Sequence, residues 1–152
     1  MAYVTAEARQ ELLDTVAEAA DELGIAVTAL GAAYDGLDER SADTLEEQLF
    51  RPVQHAYGRA QRTHTEFATR HGLPTRTFVP GSRGVPSGGV KGYLDVMVDA
   101  VEQAEAILVE LQDSMSPVEV GDPELRAGLA EVRALVADIS ARARALLRTL
   151  GR

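Results

Sequence analysis

Three runs of the chain repeat apolar side chains at alternating spacings of three and four, and this repeat is its strongest constraint. The first run is Leu13, Val16, Ala20, Leu23, Val27, Leu30, Tyr34 and Leu37. The second is Val90, Leu94, Met97, Val101, Ala104, Leu108, Leu111, Met115 and Val118. The third is Leu125, Leu129, Val132, Val136, Ile139, Ala143, Leu146 and Leu150. Such spacings place the side chains on one face of an α-helix, and faces of this kind bury against one another.

The helix ends agree with the stripes. Thr5 can cap the first helix, with Glu7 and Glu11 near its positive end. Asp122-Pro123-Glu124 supplies an N-cap, a proline at the first helical position and an acid in the first turn of the last helix. Pro117 and Gly121 mark the break before it. Between residues 41 and 71 a less regular stripe runs through Glu46, Phe50, Val53, Tyr57, Ala60, His64, Phe67 and His71. Pro52 falls inside it and predicts a kink or break. Helices are thus expected at about 5–35, 41–71, 88–116 and 122–150. The first and second, and the third and fourth, are joined by short connections that make them antiparallel neighbours. The expected architecture is all-α: an antiparallel up-down-up-down four-helix bundle forming one domain over residues 1–152.

A chain of 152 residues buries about 68–70% of its unfolded-chain surface and needs no staple. It has no cysteine, which excludes disulfides, thiol nucleophiles, thiolate-held metals and covalently attached haem. Its 24 acidic and 15 basic residues give a formal charge of −9, unsuited to gripping nucleic acid or an anionic membrane face. The start of the chain is acidic where a secretory leader is basic, so a cytoplasmic location is expected. Of the 15 basic residues only Lys91 is lysine, and alanine is abundant, a composition typical of GC-rich bacterial genomes.

One segment departs from the pattern. Residues 73–87, punctuated by Pro74, Pro80 and Pro86, are longer than a bundle connection needs, where two to eight residues suffice. From Phe67 to Leu94 there are Arg70, Arg76, Arg83 and Lys91 and no acid, giving +4 inside a protein of −9. Ser87-Gly88-Gly89 is placed to open the third helix with free backbone N–H groups, flanked by Arg83 and Lys91, where a phosphate or carboxylate can sit. The stretch lacks P-loop spacing, and a plain crossover kept soluble by its arginines explains the same composition. Arg70 and His71 also suit the C-terminal end of the second helix.

No catalytic constellation accompanies these features. Glu-x-x-His pairs for a di-metal centre, histidines four residues apart, Gly-x-Ser-x-Gly and Gly-x-Gly-x-x-Gly are all missing. His64 occupies a seam position, where it is expected to hydrogen-bond a hydroxyl or carbonyl; non-covalent haem between His64 and Met97 is the sharper alternative. Tyr57, Gln61 and His64 mark the place where a small internal cavity would lie. Glu11, Asp14, Glu18 and Asp21, and Asp95, Asp99 and Glu102, fall off the seam and read as a solvated acidic surface rather than a magnesium site. The second half of the last helix is basic (Arg133, Arg142, Arg144, Arg148 and Arg152) and is expected beside the acidic start of the first.

Two functions follow as expectations. The first is a non-enzymatic binding or adaptor protein acting through a helical face or as a homodimer, with no metal and no cofactor. The second is a small-molecule binder or enzyme for an anionic ligand at the basic 70–92 region and the start of the third helix. It would use Arg76, Arg83, Ser87 and Lys91, with Tyr57 or His64 as the inner polar group.

Overall fold

The computed structural model describes residues 5–150; the first four residues, Gly151 and Arg152 lie outside them. Among the described residues the chain is all-helical, with no strand. The helices are α1 (Ala6–Asp35), α2 (Glu39–Leu45), α3 (Arg51–Arg70), α4 (Gly89–Asp113), α5 (Ser116–Val120), α6 (Pro123–Val136) and α7 (Ile139–Leu150). The caps read from sequence are in place: Thr5 accepts from the Ala8 N–H at 3.0 Å, and Asp122 from the Leu125 N–H at 2.9 Å.

The expected second helix begins earlier, at Glu39, where Asp38 accepts from the Ser41 N–H at 2.8 Å. Pro52 does not break it. A π-helical turn over Glu46–Phe50 precedes α3 and takes up the interruption in the hydrogen-bond ladder. Proline has no N–H to offer the carbonyl four residues back, and that carbonyl, on Gln48, instead accepts from Arg142 of α7 at 3.2 Å. The expected third helix ends at Asp113. Met115 turns into the left-handed region (φ 65°), and Met115 and Val118 leave the apolar stripe as exposed residues. The expected last helix is interrupted at Ala137 and Asp138, which nothing in the local sequence explains.

Side-chain contacts fix the helix directions. Gly31 of α1 lies by Phe50 and Gly24 by Tyr57, so α3 runs against α1. Arg59 pairs with Glu131 and Arg70 with Glu124, so α6 runs against α3. Arg83 joins Glu22 to Asp99 and Gly36 lies by Val90, so α4 runs against α1. Arg133 meets Gln112, and Ser140 meets Glu102, so α6 and α7 also run against α4. The two short-connection pairs are antiparallel as expected.

The expected up-down-up-down order is not what these directions give. α3 and α4 run the same way, so the order is up-down-down-up. Residues 71–88, the strap, therefore return the chain along the length of the helices. α4 is about 37 Å long at 1.5 Å per residue, and 18 extended residues reach about 60 Å, so the strap has the length the crossover needs.

The core is drawn from the stripes: Leu13, Leu23, Leu30, Leu94, Met97, Leu108, Leu125, Leu129 and Ile139 are all almost fully buried. α1 also buries Ala19, Ala26 and Ala33, spaced by seven. Small side chains on that line let α4, its most extensive neighbour, come close. Gly128 plays the same part between α6 and α3, where any Cβ would collide with the Thr63 hydroxyl.

Candidate functional site: the strap and its seat

The strap leaves α3 through a tied root. Arg70 donates to Asp122 at 2.8 and 3.0 Å and to Glu124 at 2.8 Å, and His71 Nε2 lies 2.9 Å from the second Asp122 oxygen. Burial pushes the Asp122 carboxyl up, but the Leu125 N–H, His71 and Arg70 outweigh it and hold the group below the ordinary carboxylate value.

From this root the strap crosses the outer face of α1. Gly24 makes the crossing close, because a Cβ there would stand 3.2 Å from the Tyr57 ring and 3.3 Å from Pro80 Cα. Phe78 is the one strap aromatic. Its ring meets the edge of His64 at 5.0 Å between centroids and 85° between planes. The Arg76 guanidinium covers the same ring at 4.2 Å and pairs with Asp21. Further on, Ser82, Arg83 and Gly84 lie against Ile25, Thr28, Tyr93 and Val96. Arg83 bridges Glu22 and Asp99 at 2.6 Å each.

Three of the six residues singled out by sequence thus meet. His64, Tyr57 and Arg76 converge on Phe78 and Pro80. Arg83 reaches Glu22 at nearly the same level of α1 and Asp99 on α4, more than two turns past the start of α4 and not at its first turn. Lys91 pairs with Asp95 at 3.6 Å and lines a surface cleft of about 520 Å³ with Gly36, Leu37, Val90 and Leu150. The structure gives Ser87 no side-chain hydrogen bond to that end. Gly88, in the left-handed region (φ 92°), precedes α4 without a side-chain cap.

His64 corrects an expectation. It is 3% exposed, yet its Nδ1 has no hydrogen-bond partner among the described residues, and the ring that stands against it is Phe78, not the hydroxyl or carbonyl expected. Burial and the nearby Arg76 charge hold its pKa below the ordinary histidine value, against weaker opposing pulls from Asp14 and Asp21. Burial, with Asp21, raises that of Tyr57, and Arg76 partly opposes. Met97 is fully buried in the core.

The basic end of the chain is also placed differently from expectation. α7 runs parallel to α1, so Leu147 and Leu150 line a cleft with Gly36 and Leu37 at the end of α1, not at its start. Sequence reasoning missed Phe78 as the strap's anchor and Asp21, Glu22 and Asp99 as its partners. A lone aromatic within a Gly- and Pro-rich segment was the available signal for the first. Nothing local marked the carboxylates.

Among the described residues no group of three or more His, Asp or Glu side chains is arranged to hold a metal ion. No helix among them is long and apolar enough to cross a membrane. Comparison with protein-family models, with curated proteins and with solved structures finds no match to the chain.

Proposed function

We propose that the chain is a non-enzymatic binding or adaptor module, a four-helix bundle with one long crossover that acts through a helical face toward a protein partner or a second copy. A bacterial cytoplasm is its proposed setting. The observation that carries this reading is the pairing of the acid-free segment inside the chain. Arg70, Arg76, Arg83 and Lys91 each meet a helix carboxylate. An anionic ligand at that segment must displace those pairs before it gains a contact, which weakens the alternative reading of a phosphate or carboxylate site at residues 70–92.

A thermal-shift series against inorganic phosphate, citrate and nucleotides tests the choice. The binding-module reading expects an unchanged melting temperature. A rise in the wild type that is lost in Arg83→Ala overturns it in favour of the anion site.

A further inference from the structure

The strap covers only part of the face that α1 and α4 share. Arg83 crosses that face and joins Glu22 to Asp99. Antiparallel helices keep their register, and eleven residues before Glu22 stands Glu11, while eleven after Asp99 stands Glu110. Eleven residues complete three helical turns to within about 20°, so the second carboxylate pair repeats the first about 16 Å along the axis. Glu11 and Glu110 flank a cleft of about 360 Å³ whose apolar lining includes Leu12, Ile107 and Leu111. Both glutamates are exposed, and among the described residues neither has an ion-pair partner. Glu18 adds a further carboxylate on the α1 side.

We propose that this open half of the α1–α4 face docks an arginine-bearing extended segment of a partner protein, whose guanidinium bridges Glu11 and Glu110 as Arg83 bridges Glu22 and Asp99. The inference rests on the binding-module reading and names the chemistry of the partner. The strap is the template for the occupant: an extended, Gly- and Pro-rich segment seated on the same two helices by one arginine. The planar guanidinium serves two carboxylates at once, which an ammonium does less well. The cleft's leucine and isoleucine side chains take the segment's apolar residues.

A fluorescein-labelled peptide with the sequence of residues 78–89, FVPGSRGVPSGG, is the probe, and anisotropy against the full chain is the readout. Saturable binding is expected, weakened at least tenfold by Glu11→Gln/Glu110→Gln, weakened by added salt and by Arg83→Lys in the peptide, and unchanged by Glu22→Gln/Asp99→Asn. Both exposed glutamines leave the fold intact, which circular dichroism checks. No binding at millimolar protein overturns the proposal. So does a loss that follows Glu22→Gln/Asp99→Asn instead, which means exchange with the strap. A dimer in light scattering that Glu11→Gln/Glu110→Gln dissolves puts a second copy in the cleft and also overturns it. A metabolite thermal shift lost in Arg83→Ala strikes the binding-module reading, whereas a silent peptide strikes the cleft alone.

Discussion

The covered and open halves of the α1–α4 face are built from the same two helices and the same acidic edges, yet they end in different states. On the covered half Arg83 pairs with Glu22 and Asp99, and the strap is held on the neighbouring α3 side of α1, where Gly24 admits Pro80 beside Tyr57, Phe78 meets His64 and Arg76 pairs with Asp21. On the open half Glu11, Glu18 and Glu110 line an apolar cleft, and among the described residues none of the three has an ion-pair partner. The net charge of −9 is therefore not spread evenly; internal pairing removes it from one half and leaves it on the other. Uncompensated charge beside apolar surface is where a complementary partner gains most.

The comparison can be broken at the root of the strap. Asp122→Ala removes the α6 cap and leaves Arg70 and His71 without their shared, 6%-exposed carboxylate. Urea unfolding should show a loss of about 3 kcal/mol. Next in size, Gly24→Leu drives a side chain into Tyr57 and Pro80 and should cost about 1–3 kcal/mol, while Ala8→Leu on the open half stays within about 0.5 kcal/mol. Equal costs would end the distinction between the halves.

Phe78→Ala should cost about 2 kcal/mol, less than the full value for a buried phenylalanine because the ring is only half-buried. It also admits water to His64, whose titration by NMR should move up toward the ordinary histidine value. The pH dependence follows from the same residue. His64 has a lower pKa folded than unfolded, so the unfolded state binds more protons and stability falls as pH drops below about 6.5. His64→Gln should flatten this part of the stability profile. Asp122, also lowered, loses its contribution only at more acidic pH, below the ordinary carboxylate value of 3.8.

The smallest effects separate two cations of the acid-free segment. Arg83→Ala should cost about 1 kcal/mol, less at high salt, since both its partners lie on packed helices. Lys91→Ala, whose pair with Asp95 is largely exposed, should cost under about 0.5 kcal/mol.

Much of this fold was legible in the sequence because it is local. The stripe from Leu125 to Leu146 is buried at every position, and Thr5 and Asp122 cap as their neighbours implied. The stripe failed at Met115, where a left-handed backbone ended the helix that the spacing continued. Of the candidate site, His64, Tyr57 and Arg76 were legible as polar groups in unusual places. Their meeting through Phe78 was not, because it depends on where a segment without periodicity lands.

By itself, then, the sequence determined which stretches are helical, which faces are buried and where most helices begin, since periodicity and capping act over a few residues. Only the tertiary structure decided the direction of α4, the path of the strap and the partners of its arginines. A connection of this length can return beside its own helix or cross the molecule, and its composition suits both. The ion pairs that settle the path, Arg76 with Asp21 and Arg83 with Glu22, join residues 55 and 61 apart. Packing, not local preference, brings such residues together.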